Sequence, residues 1–310
     1  MRLAILSDIH GNLPALEAVL SDIDRLGVDR ILAAGDYVGG PYNNQVIQIL
    51  QEREVWSIQG NGEAGILLLD SGAAPDYWYT TQQHAYGRWV WHDLTPESLA
   101  FINTLPEQAV FHLLGTDPIR VVHGSPFGLS QGIMPDTNPE SLRNALAAVT
   151  EPVLVCGHTH KPWAVTQSGR LALNPGAVCG PLNGFVGAQY ALLEWDGTSW
   201  QAELRAVSYD LAPVREAFHA CGLYLAAPVF SKAILLCEHT GQDVIMDFLR
   251  YAYGLARENG YEDSPYVPDP IWEQAAKEYD WGPWGTTAGV RIDIHKDLPE
   301  RSSIRTTPQE

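Results

Sequence analysis

Cationic side chains are scarce in this chain. Lysine and arginine number 19 against 37 aspartates and glutamates, giving a formal charge of -18 over 310 residues. Nucleic-acid backbones are bound by neutralising Lys and Arg, so non-specific nucleic-acid binding is not expected. The same field repels small anions, so any phosphate site needs local positive charge, which bound metal ions can supply. Cysteine is scarce too. Cys156, Cys179, Cys221 and Cys237 show no CxxC spacing and read as free thiols in a reducing compartment. No apolar run reaches the ~18 residues needed to span a bilayer, so no membrane partner is expected. The strand-like Leu3-Ala4-Ile5-Leu6 starts almost at Met1 and leaves no space for a signal peptide. The cytoplasm is the expected compartment. No internal repeat is visible.

The apolar content, 45%, is that of a globular chain with a proper core, long enough for one large domain with an appendage. Residues 2–7 read as a buried strand. Asn12 can cap the next helix, with Pro14 in its first turn and Gly27 as its stop. Strands are expected at 30–34 and 55–58, with a helix near 44–51 between them. This β-α-β-α-β order predicts a layered α/β or α+β fold. Residues 64–118 break the rhythm with Tyr77, Trp78, Tyr79, Tyr86, Trp89 and Trp91, and read as a largely helical insertion. Strands resume at 119–122, 152–156 and 171–173. Two more, 188–195 and 199–208, flank the hairpin signal Asp196-Gly197. These elements make up an expected core domain, 1–210. Residues 211–295 read as a helical appendage, whose helix near 240–258 docks on the core or on a second copy in a homo-oligomer. Residues 296–310 read as a disordered polar tail.

Five short motifs each follow an apolar strand-like run: Asp8-Ile9-His10, Gly35-Asp36, Gly60-Asn61, His123-Gly124 and Gly157-His158-Thr159-His160. Ligand-binding groups gather at the C-terminal ends of strands in open α/β sheets. Asp, Asn and His offer oxygen and nitrogen donors, a set that suits Mn, Fe, Zn, Co or Ni. Asp8 and His10 stand two apart at a strand end, so the bend after the strand can aim both at one ion; His158 and His160 repeat the pattern. A carboxylate such as Asp36 can bridge two ions. Two ions roughly 3.5–4 Å apart can clamp a phosphoryl group and activate a bridging hydroxide for in-line attack.

In order and spacing the motifs resemble the calcineurin-like metallophosphoesterase superfamily, over roughly residues 1–208. Within it, Asn174-Pro175-Gly176 and the helical C-terminal region look like the small bacterial phosphodiesterases and dinucleoside-tetraphosphate hydrolases. The resemblance implies a four-layer α-β-β-α sandwich of two mixed sheets. It implies one metal on Asp8, His10, Asp36 and His160 and a second on Asp36, Asn61, His123 and His158, with Mn²⁺ favoured. Asp36, Asn61 and His123 are then the expected catalytic residues, and the expected reaction is hydrolysis of a nucleotide-like phosphodiester or phosphoanhydride.

One position departs from the pattern. Gly62 stands where the family has a histidine thought to protonate the leaving group or stabilise the transition state. General acid catalysis is typically worth ~10²–10⁴-fold, so its loss favours substrates whose leaving group is already a good anion. His84 and His92, beside the aromatic run, are candidates to replace that acid. His84 is also a candidate to line a base or phosphate pocket, or it simply packs. Asn12 is a candidate phosphate contact, or only a helix cap. Glu63 is expected to orient backbone or a metal ligand rather than act as a base. Two rival readings remain: a serine/threonine protein phosphatase, and a non-catalytic metal-binding interaction module on the same fold.

Overall fold

The computed structural model describes residues 1–282; the expected polar tail and the end of the expected appendage, 283–310, lie outside the described residues. The chain runs β1 (Arg2–Leu6), α1 (Leu13–Leu26), β2 (Arg30–Ala33), α2 (Asn43–Glu52), β3 (Trp56–Ser57) and α3 (Asn61–Asp70). Next come α4 (Asp76–Thr80), α5 (Ala85–Asp93), α6 (Pro96–Thr104), β4 (Gln108–Phe111), β5 (Ile119–Val122), α7 (Pro139–Ala148) and β6 (Val153–Val155). Then β7 (Trp163–Gln167), β8 (Arg170–Asn174), β9 (Ala188–Trp195) and β10 (Trp200–Val207) complete the strands. The helices α8 (Ala212–Ala220), α9 (Leu223–Ala226), α10 (Pro228–Thr240), α11 (Val244–Glu258) and α12 (Asp269–Glu278) follow. Among the described residues no helix is long and apolar enough to cross a membrane.

Two five-stranded mixed sheets form, ordered β10-β9-β1-β2-β3 and β4-β5-β6-β8-β7. Strand alternation decides which side chains lie between them. Leu3 and Ile5 of β1 point inward with Leu32, Ala191 and Leu193, and meet Ile119, Val121, Val153, Val155, Leu171 and Leu173 of the other sheet. The intervening residues face outward. Ala4 and Leu6 pack under α1 and α2, while Val122, Leu154 and Ala172 pack under Leu142, Ala145 and Leu146 of α7. Both faces of each sheet are therefore apolar, which is why β1 and β6 read as continuous hydrophobic runs. This is the expected helix–sheet–sheet–helix sandwich.

The expected insertion is helical only in part. Helices α3 to α6 fill its first two thirds and pack around Ile66, Leu69, Val90 and Ile102. Gln108–Phe111 is a strand instead, the antiparallel edge partner of β5. The structure also contains β7 and α7, for which the sequence carries no expectation.

The ends of β1 and β2 are laced together beyond their ladder. Ala34 N–H donates to Leu6 O, Asp8 N–H to Gly35 O, His10 N–H to Asp36 O and Gly11 N–H to Tyr37 O. Tyr37 is fully buried at this seam. Its hydroxyl accepts from Gly35 N–H and lies 2.8 Å from Ala33 O and 2.7 Å from Ile58 O, spanning the ends of β2 and β3. Removing it strands a buried N–H. Tyr37→Phe is expected to lower stability by about 1–3 kcal/mol, read from urea unfolding; an unchanged midpoint would show that the seam does not depend on the hydroxyl.

Candidate metal centre

The five motifs lie on the loops that leave β1, β2, β3, β5 and β6, at the same end of the sandwich. Glycine lets those loops touch. A Cβ on Gly157 would stand 1.9 Å from Ser7 Oγ, and one on Gly60 would stand 2.1 Å from Asp36 Oδ1. The loops are also sharply turned. Asp8, His10, Asp36, His158 and His160 all have positive φ, between 45° and 66°. Asp, Asn and His tolerate that region better than other side chains do.

The convergence is tight. Asp8, His10 and His160 bring one donor atom each within 4.8 Å of one another, and so do Asp8, Asp36 and His123. Asp36 Oδ2 lies 3.8 Å from His10 Nε2 and 3.5 Å from His123 Nε2, so one carboxylate oxygen stands between the two groups. Asn61 Oδ1 lies 3.0 Å from His123 Nε2. His158 meets His123 edge to face at 5.3 Å, and its N–H donates to Asp8 Oδ2. All seven residues singled out as ligands therefore line one place. Asp8 falls in both groups, a sharing that the spacing did not indicate.

The outer sides of the rings are anchored. His10 Nδ1 is 3.3 Å from Val38 O, His123 Nδ1 is 2.7 Å from Ala34 O, and His160 Nδ1 is 2.9 Å from Gly180 O. A carbonyl only accepts, so each Nδ1 carries a proton and each Nε2 faces the centre, offering a lone pair whenever the ring is neutral. Yet His10 Nε2 and His160 Nε2 face each other at 3.1 Å. Two lone pairs at that distance repel unless a proton or a cation stands between them. Asp8 Oδ1, buried beside them, makes no close hydrogen bond, and lies 3.4 Å from His160 Nε2. An orphaned buried carboxylate oxygen and opposed imidazole nitrogens fit a divalent first-row cation.

Charge follows the same pattern. Burial works against the charge on Asp8 and Asp36, but the neighbouring imidazoles outweigh it and hold both carboxyls below their usual range. Burial lowers His10 and His158, which stay neutral. Burial opposes a charge on His123 as well, yet Asp36 pushes it up to about 10, and Asp8 raises His160 in the same way. A metal ion and these protons compete for the same ring nitrogens.

Glu63 organises the loop beneath Asp36. Fully buried, it accepts from the backbone N–H groups of Asp36, Tyr37, Val38 and Gly60. It is a support for the ligands, as expected, and its oxygens are too committed to serve as a base. Gly62 N–H donates to Asp36 Oδ1 at 2.7 Å, from the first turn of α3.

One expected substrate contact, Asn12, does not match its surroundings. Asn12 is 1% exposed. Its Oδ1 caps α1 at Ala15 N–H, and its amide nitrogen donates to Tyr209 and Glu238. That leaves nothing of the side chain to meet a phosphate. His84 stacks on Trp78, and its Nδ1 lies 2.8 Å from Thr81 Oγ1. Burial, helped by the Arg88 charge, pushes its pKa down to about 4, so at neutral pH the ring is neutral and a poor general acid. Sequence reasoning missed Asn43, Cys179 and Glu238. Asn43 is buried and accepts from Gly39 and Gly40 N–H, bracing the loop beside His10. No local spacing marks Cys179 and Glu238, because their partners lie on other segments, while the contacts of Asn43 with Gly39 and Gly40 are local and resemble any turn before a helix.

The family model described as the calcineurin-like phosphoesterase superfamily domain matches residues 1–198. The uncharacterized protein MJ0912 of Methanocaldococcus jannaschii is 28% identical over 236 residues, 69% of this chain and 90% of its own. Phosphodiesterase YfcE of Escherichia coli K12 is 29% identical over 207 residues, 63% of this chain and 89% of its own. The crystal structure of a metallophosphoesterase from Sphaerobacter thermophilus superposes with a TM-score of 0.63 at 27% identity, covering 78% of this chain and all of that one. The chain belongs to the calcineurin-like phosphoesterase superfamily and is a hydrolase of phosphoester bonds.

Proposed function

We propose that the protein is a dinuclear, metal-dependent phosphoesterase acting on nucleotide-type phosphodiesters or on phosphoanhydrides such as dinucleoside polyphosphates. The observation that carries this reading is the 3.1 Å approach of His10 Nε2 to His160 Nε2 beside the orphaned Asp8 Oδ1. One ion would take Asp8, His10, Asp36 and His160, the other Asp36, Asn61, His123 and His158. Mn²⁺ is the favoured ion, although Fe, Zn, Co and Ni suit the same donors. When bound, the pair supplies Lewis acidity toward phosphoryl oxygens and lowers the pKa of a water.

The chain's own residues supply position and field. Asp36 keeps one oxygen on Gly62 N–H and turns the other between His10 and His123. The positive end of α3, which starts at Asn61, stabilises negative charge at the same spot. Asn61 and His123 stay fixed through their mutual contact and through Ala34 O. The matching protein named a phosphodiesterase supports the diester class. With free cysteines, three of them buried, the cytoplasm is the proposed compartment.

Gly62 refines the substrate. It carries no acid, and His84, unprotonated at neutral pH, is a poor substitute. A leaving group must then depart as a stable anion, as a phosphate or nucleotide with a pKa near ~6 does.

Purified protein with Mn²⁺ is expected to hydrolyse bis-p-nitrophenyl phosphate or a dinucleoside tetraphosphate, with simple alkyl monoesters far slower. Metal retention without turnover of either, across several metals, would overturn this substrate class. Asp36→Asn is expected to abolish turnover while the fold, read by circular dichroism, persists. Gly62→His should raise the ratio of alkyl monoester to diester kcat/KM by at least about tenfold, a small part of the ~10²–10⁴-fold typical of general acid catalysis. Its new Cβ would stand 3.1 Å from Asp36 Oδ1, so Gly62→Ala is the control for crowding alone. A ratio that moves equally in both variants would refute the leaving-group argument.

A further inference from the structure

Helix α10 sends a buried carboxylate toward the metal loops. Glu238 is 3% exposed. Its Oε1 accepts from Asn12 Nδ2 at 2.9 Å and from the Cys179 thiol at 2.9 Å. Both partners are one step from metal-type residues. Asn12 follows His10 by two positions, and its own N–H donates to Ile9 O. Cys179 N–H donates to Asp8 O, and the next residue, Gly180, offers the carbonyl that fixes the His160 ring. A Cβ on Gly180 would stand 3.9 Å from Glu238 Cγ, so the helix lies directly against this segment. Two further bonds close the seam: Leu182 N–H donates to His160 O, and Gly184 N–H to Gly241 O just past the end of α10.

We propose that Glu238 is a positioning residue for the group Asp8, His10 and His160, so that the C-terminal helices are part of the metal centre. It mirrors Glu63. That residue gathers four N–H groups beneath Asp36 and next to Asn61. Glu238 gathers the two segments that carry the other ligands. Each half of the centre thus rests on its own buried carboxylate. The inference rests on the two-ion reading above, and it predicts an asymmetry which that reading does not: weakening the Glu238 contacts should loosen one ion and spare the other.

The test uses the full chain and titrates Mn²⁺ into metal-free protein by calorimetry, with unfolding of the metal-free forms as the control for folding. Glu238→Met fills the volume but cannot accept a hydrogen bond. Glu238→Gln still can. Wild type is expected to bind two Mn²⁺. Glu238→Met should bind one of them about tenfold or more weaker, at the low end of the effect of residues that orient metal ligands, with the second unchanged. Glu238→Gln should stay close to wild type. Should Glu238→Met fail to fold, Cys179→Ala removes one of the two contacts and must show the same one-sided loss in smaller measure. Two-ion binding at wild-type strength in the folded Met variant, or in Cys179→Ala, overturns the proposal, as does an equal loss at both ions. Failure of wild type to bind two ions defeats the metal reading itself, which is a different result.

Discussion

The site depends on a backbone constraint: loops from two sheets must turn sharply enough to aim their side chains at one point. Five of the ligand-type residues meet it with positive φ. Such a conformation costs of order 1–3 kcal/mol for each non-glycine residue, so it persists only where the surroundings over-determine it. The surroundings here do so. The lacing of the loops after β1 and β2, the Tyr37 hydroxyl at the seam and the four N–H groups on Glu63 all act on the same few residues. The apolar sandwich beneath supplies the stability that these turns draw on.

Order within the site comes from what lies behind it. Three histidines present Nε2 because three carbonyls hold Nδ1. Those carbonyls belong to Ala34, Val38 and Gly180, on loops that are themselves braced by Glu63, Asn43 and Cys179. The ligands are thus the visible end of a hydrogen-bond network that reaches into the first turn of α3 on one side and into α10 on the other. Two imidazole nitrogens facing each other at 3.1 Å beside a buried carboxylate are tolerable only in a centre arranged for positive charge, a proton or a cation. In a chain of charge -18 that requirement is local rather than global.

Much of this was legible from the sequence, and the reason is physical. Inner strands buried on both faces leave runs such as Leu3–Leu6 and Val153–Val155, and each metal motif stands a few residues beyond the run that carries it. The edge strands β4 and β7 leave no such mark, whereas the edge strand β10 is betrayed by its hairpin signal, Asp196-Gly197. β7 is only partly buried, and Gln108–Phe111 sits at the sheet margin after a series of helices, so neither shows a clean alternation. Asn12 shows a different limit. Its cap on α1 is local and was readable, whereas its bonds to Tyr209 and Glu238 span 197 and 226 residues and were not. Glu238 sits in an ordinary helical stretch, and only its depth in the fold distinguishes it from a surface glutamate.

The left-handed turns have a consequence for how such a centre changes. The side chains that bind metal through oxygen and nitrogen, Asp, Asn and His, are the same ones that enter this backbone region most readily. Ligand chemistry and loop geometry therefore select one small set of residues for two separate reasons. Glycine satisfies the geometry better than any of them and offers no donor. At these five positions, replacing a ligand by glycine relaxes the backbone while it dismantles the site. The relief of the backbone is set against the hydrogen bonds lost with each side chain, such as those on Asp36 Oδ1 and Asp8 Oδ2, and against the larger entropy that glycine loses on folding.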